Sequence, residues 1–189
     1  MRSQKNPSST DDFNAVETMD FEDLMKSLET NPAAASSKLV TLTHLTVKPD
    51  GYDVDKLLSS GLIPILLQTA KKYAPQTVGL WALVNLDNIA LNPATHKAIL
   101  EANGLEIALD LLRFLKSDQD HELDYGLSSA FLICRCVGRE ETGPGPEAIS
   151  GNPRLVEKLK WILTEVLDVG RNGVVIGSVS SSFNQSETP

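Results

Sequence analysis

The sequence predicts an all-α protein in which a three-helix unit is repeated along the chain. Three observations predict it. Apolar residues between Pro75 and Phe114 recur at helical spacing in three runs. Two punctuations, Asn92-Pro93 and Asn103-Gly104, separate those runs. The pattern then returns along the chain at a nearly constant interval, which is the mark of a repeat architecture.

Each element of the central stretch has a local reason. Leu80, Leu83, Val84 and Leu86 give 75–91 one apolar stripe, with Leu80, Leu83 and Leu86 assigned to the core. Asn92-Pro93 stops that helix and opens a shorter one over 93–102. Pro93 then takes a first-turn position, where a missing N–H does no harm. Asn103-Gly104 supplies backbone tolerant of positive φ, and 105–116 forms the next striped helix.

The recurrence is specific. Ser60-Gly61-Leu62-Ile63 aligns with Asn103-Gly104-Leu105-Glu106, 43 residues on. Leu39, Leu42 and Leu45 align with Leu80, Leu83 and Leu86 at a shift of 41, and these align in turn with Leu127, Ala130 and Ile133 at 47. The hexapeptide Trp81-Ala82-Leu83-Val84-Asn85-Leu86 and the turn Asn103-Gly104-Leu105 give the repeat a family resemblance. It resembles the armadillo repeat, a unit of three helices whose third helix often carries W-A-L-x-N-L. The resemblance implies a short right-handed α-solenoid of armadillo-like three-helix repeats, with truncated repeats at both ends.

Taken in order, 1–19 is rich in Ser, Asn, Asp and Gln and is expected to be a disordered acidic tail. The first thirty residues hold seven acids and three bases, which is half the net charge of −8. The repeat domain is expected over 20–169. Within it, Phe21, Leu24, Met25 and Leu28 form an apolar face behind a candidate N-cap, Asp20, and a longer helix follows over 33–47. Lys48-Pro49-Asp50-Gly51 reads as a turn. A complete repeat then covers 53–91 and another covers 93–138. A Gly/Pro loop follows at 139–145, and 147–150 with 154–169 form a last, truncated repeat. The Ser/Gly-rich segment 170–189, with a Val174-Val175-Ile176 patch, is expected to be a flexible tail.

Composition narrows the function. The chain has 189 residues, 41% hydrophobic and only 5% aromatic, enough for one domain with its own core. Net charge −8 and a pI near 4.9 argue against nucleic acid and against anionic membranes. No apolar run is long enough to span a bilayer, and two Cys make no disulfide framework, so a cytoplasmic or nuclear setting is expected. Cys134 and Cys136 point about 200° apart on a helix and cannot share a metal, so both are assigned to buried apolar positions. The run Asp118 to Asp124 lacks a calcium-loop pattern and suits the positive end of a helix. His44, His96 and His121 match no nucleophile motif, so no enzyme, metal or cofactor is expected.

The function expected is protein–protein binding. In the resembled family the third helices line a concave face that holds an extended peptide, and Trp81 and Asn85 match its peptide-binding pair. Helical spacing places Thr77, Trp81, Asn85 and Asn88 on one side of their helix. An amide can pair with both polar groups of a peptide unit, and an indole offers a flat apolar wall. A second reading stands beside this one: Trp81 packs between helices and Asn85 bonds to an adjacent helix end. The repeat shifts place Val40 and His44 at the equivalent positions before, and Ser128 and Leu132 after, so the Trp/Asn ladder is not repeated. His44, Ser128 and Arg135 complete the candidate set, with Arg135 read as a solvated charge. The acidic balance favours a partner carrying Lys or Arg, bound by a monomer or a subunit of a hetero-complex. The alternative is a structural subunit or chaperone cofactor docking through convex or end helices.

Overall fold

The structure, a computed structural model, describes residues 19–48, 51–137 and 151–161. Among them the chain is all-helical, with nine α-helices and two 3₁₀ segments. The helices are α1 (Phe21–Thr30), α2 (Pro32–Thr46), α3 (Val54–Ser60), α4 (Leu62–Lys72) and α5 (Thr77–Ile89). They continue as α6 (His96–Glu101), α7 (Gly104–Leu111), α8 (Asp120–Val137) and α9 (Pro153–Trp161). The tails, the loop at 139–145, the helix at 147–150 and the span 162–169 lie outside the described residues.

Short polar side chains set several of the helix starts. Asp20 accepts from Glu22 N at 3.0 Å, Asp53 from Lys56 N at 3.0 Å, and Asn152 from Leu155 N at 3.0 Å. Asn31 and Asn92 do the same ahead of Pro32 and Pro93, each of which takes a first-turn position. The single helix expected over 93–102 is divided, a 3₁₀ turn Pro93–Thr95 leading into α6. The one expected over 105–116 likewise ends as a 3₁₀ segment, Leu112–Lys116. The joints before α4 and α7 turn differently. Gly61 has φ +78° before α4, whereas before α7 the positive φ of +62° falls on Asn103. Gly104 answers a different need there, because a Cβ on it would sit 2.5 Å from Ile99 Cγ2.

The helices pack in two rows. α2 lies along α5, and α5 along α8; behind them α1 lies on α4, and α4 on α7. The short helices α3 and α6 sit against α4 and α7 respectively. A single hydrophobic cluster runs from Phe21 on α1 to Leu155 on α9, and Leu39, Leu66, Leu83 and Leu86 within it are fully buried. Leu80, which the stripe assigns to the core, is only half-buried and lies at the edge of the cluster. The rows advance in step. Gln76 and Asp87 of the α5 segment meet Tyr125 and Arg135 of α8, so α5 and α8 run in the same direction. Arg154 of α9 pairs with Glu106 and Asp110 of α7, one interval further along.

Tyr125 fixes one of these steps. It is fully buried on α8 and its hydroxyl donates toward Gln76 O at 3.0 Å, with Tyr73 O at 3.3 Å, just beyond the end of α4. Burial pushes its phenol well above the ordinary tyrosine range. The hydroxyl fits because residue 79 is glycine: a Cβ there would lie 2.0 Å from the Tyr125 oxygen. Gly126 allows the other close approach, since a Cβ on it would lie 2.6 Å from Leu115 N. Gly79→Ala is therefore expected to destabilise by about 1–3 kcal/mol through overpacking, and Tyr125→Phe by about 1 kcal/mol through the lost hydrogen bond. In urea denaturation the double variant should cost clearly less than the sum of the two, because removing the hydroxyl removes the nearest clash. Strict additivity would show that the two residues do not meet.

Candidate functional site

The exposed side of the row α2, α5, α8 carries most of the residues singled out in the sequence. On α5, Thr77 is exposed, and Trp81, Val84 and Asn88 are half-buried. On α8, Ser128 and Arg135 are half-buried and Phe131 is 51% exposed. On α2, His44 is exposed. The contacts joining α5 to α8 link residues 48 or 49 positions apart, which sets Phe131 about level with Val84 and Ser128 about level with Trp81. Val47, Leu91 and Phe131 are the exposed large apolar residues among those described, and each lies on or just after one helix of this row.

Asn85 departs from the expectation of a peptide contact. It is 0% exposed. Its amide donates to Leu39 O on α2 at 2.9 Å and to Trp81 O, one turn back on its own helix, at 2.8 Å. Its oxygen lies 3.5 Å from Thr46 Oγ1, at the outer limit for a hydrogen bond. Both N–H groups are thus spent inside the fold, and the side chain ties α2 to α5 from behind the exposed face. Asn88 also reaches back, from Nδ2 to Thr46 Oγ1 at 3.4 Å. The spacing that puts Asn85 in line with Thr77 and Trp81 cannot tell whether that line faces solvent or the neighbouring helix. The polar carbonyl and hydroxyl on α2 decide it.

Arg135 departs in the opposite sense. It is no solvated charge, since its guanidinium engages both oxygens of Asp87 across the α5–α8 junction, Nη2 to Oδ2 at 3.3 Å. Cys136, next to it, is buried at the same junction. Burial pushes its thiol up to about 12, Asp87 adding to the effect and Arg135 opposing it. Cys134 is exposed, so the assignment of both cysteines to buried positions holds for Cys136 alone. The residue sequence reasoning passed over is Phe131, exposed on α8; Val84, read as part of the apolar stripe, is only half-buried and lies one turn from Trp81. The signal for Phe131 was the stripe opposite to the core stripe.

The acids at the start of α8 lie at one end of this face. Asp120 and Glu122 occupy its first turn, and Glu122 accepts from Ser117 Oγ at 2.7 Å. Asp124, one turn on, has its carboxyl raised above the usual range, first by desolvation and then by the charge of Asp120, with His121 opposing. A carboxyl raised in the fold stays neutral more readily there than in the unfolded chain. It stabilises at low pH and penalises folding once pH rises through its titration. Asp124→Asn is therefore expected to raise the melting temperature at pH 7, and the gain should vanish as pH falls below the carboxylate range. A gain that persists unchanged in acid would assign the effect to something other than this charge.

Among the described residues, no three His, Cys, Asp or Glu converge in a way that could hold a metal ion, and no helix is long and apolar enough to cross a membrane. No protein-family model and no curated protein matches the chain. Among solved structures it is similar to the crystal structure of an engineered protein, with a TM-score of 0.56 and 21% identity. The match covers 82% of this chain, which spans 59% of that one, and at this identity it bears on the helical fold alone.

Proposed function

We propose that the chain is an armadillo-like repeat protein that binds an extended segment of another protein across the exposed faces of α2, α5 and α8. The observation that carries this reading is the interval between neighbours in the rows. Side chains that join successive helices link residues 39, 42 and 46 apart from α2 to α5, 48 and 49 from α5 to α8, and 44 to 48 from α7 to α9. Three-helix units of forty-odd residues, laid side by side as a short right-handed solenoid with truncated ends, have contacts of this kind. Such stacking presents one helix of each unit on a shared face.

On that face Trp81, Val84 and Phe131 form an apolar floor, and Thr77, Asn88, His44 and Ser128 surround it with hydrogen-bonding groups. A half-exposed indole beside an exposed phenyl ring has the composition of an interface centre. Asp120 and Asp124 favour a segment carrying Lys or Arg at the end where α8 begins. Asn85 and Arg135 serve the face by holding its helices together and are not assigned contacts with the partner. A binding role of this kind needs no cofactor.

Selection of a peptide display library against the full chain tests the reading. Enriched peptides that combine an apolar residue with Lys or Arg are expected. Trp81→Ala and Phe131→Ala should each weaken their binding by about 1–2 kcal/mol in calorimetry, with helicity unchanged by circular dichroism. Basic peptides that bind the double variant as tightly as the native chain would remove this site.

A further inference from the structure

The C-terminal ends of α4 and α7 and the Lys158–Trp161 stretch of α9 carry a second chemistry, of opposite sign to the chain as a whole. Lys72 lies over the Tyr73 ring, 5.1 Å from its centroid, at the end of α4. Arg113 lies over Phe114 at 4.7 Å, just past the end of α7. Lys116 and Lys158 flank the Trp161 ring at 5.1 and 5.2 Å. These three units are contiguous. Tyr125 joins the first two, because its hydroxyl meets Tyr73 O while its ring lies 5.5 Å from that of Phe114. Lys116 follows Phe114 in the same 3₁₀ segment and joins the second unit to the third. The three aromatic residues are half-buried.

Cations at helix C-termini have an ordinary cause, since they complement the negative end of the helix dipole. That cause accounts for charge at each end but not for a ring beneath every charge. Among the described residues, Lys72, Arg113 and Lys158 pair with no acid. The acids of α7, Glu106 and Asp110, are engaged by Arg154 further back along the helix. A chain of net charge −8 thus gathers cations and aromatic rings alternately along one edge.

We propose that this edge is a second docking surface and that its occupant is an acidic stretch of another polypeptide. Carboxylates would meet the cations, and the aliphatic and aromatic side chains between them would meet the ring edges. A nucleic acid offers negative charge too, but it presents a long polyanion to a molecule whose total charge repels it, whereas a short acidic segment engages only the local patch. The surface lies on α4, α7 and α9, away from Trp81 and Phe131, so it is independent of the face on α2, α5 and α8.

The test is fluorescence anisotropy of the full chain with a short labelled peptide of alternating Glu and Phe, set against its Gln/Phe counterpart and a labelled single-stranded oligonucleotide. The acidic peptide should bind, the Gln counterpart should bind at least about tenfold more weakly, and added salt should weaken the acidic complex. Lys72→Glu with Arg113→Glu should reduce acidic-peptide binding at least about tenfold at unchanged helicity, and Trp81→Ala should leave it unaltered. Should that double variant unfold, Lys72→Gln with Lys158→Gln gives the same comparison with a smaller loss. Equal binding of the acidic and Gln peptides, tighter binding of the oligonucleotide, or indifference to the charge substitutions would overturn the proposal.

Discussion

Buried hydrogen bonds between successive helices of one row are the constraint on which the rest of the structure depends. Leucines in a stripe make two helices adhere but leave them free to slide, because one leucine fills a leucine-sized gap much as the next does. A buried amide has no such freedom. Asn85 is wholly excluded from solvent, and its N–H groups reach one carbonyl on α2 and one on its own helix. Sliding α5 by a residue would strand the N–H that reaches Leu39 O without water, which costs more than the bond itself contributes. Tyr125 does the same work one step along, where a hydroxyl on α8 meets two carbonyls at the α4–α5 joint. Glycine at 79 leaves room for that hydroxyl, while glycine at 126 lets α8 approach Leu115 of the preceding 3₁₀ segment.

Register fixed in this way determines which side chains share a surface. Because α5 and α8 advance together, the residues opposite their core stripes fall level with one another, and Trp81 acquires Val84 and Phe131 as apolar neighbours. The same parallel advance brings the C-terminal ends of α4 and α7 close to the Lys158–Trp161 stretch of α9, where cations lie beside rings. An apolar face bounded by acids and a basic-aromatic edge therefore arise from one packing scheme.

Much of the fold was legible in the sequence because helix starts and core stripes are local signals. Asp20, Asn31, Asp53 and Asn92 cap as their chemistry requires, and Leu39, Leu83 and Leu86 lie in the core at the spacing that marks them. The site was less legible, for a physical reason. Thr77, Trp81, Asn85 and Asn88 share a helical line, but a line two or three residues from the core stripe is its boundary, and the neighbouring helix decides which members are covered. Leu39 O covers Asn85, whereas Trp81 stays half-buried. Arg135 and Asp87 are 48 residues apart, and no local pattern pairs them. Tyr125 was equally silent, since its partner is a glycine whose only signal is the absence of a side chain. The family resemblance drew attention to Trp81 and Asn85 together, and the structure separates them into a surface residue and a buried tie.

The most direct measurement is side-chain amide NMR of Asn85 in the isotopically labelled chain. If the buried tie sets the register, its two amide protons exchange slowly with solvent and show nuclear Overhauser contacts to α2 near Leu39. Rapid exchange, like that of an exposed asparagine, with contacts confined to α5 would contradict the stacking of α2 on α5 and every surface that follows from it.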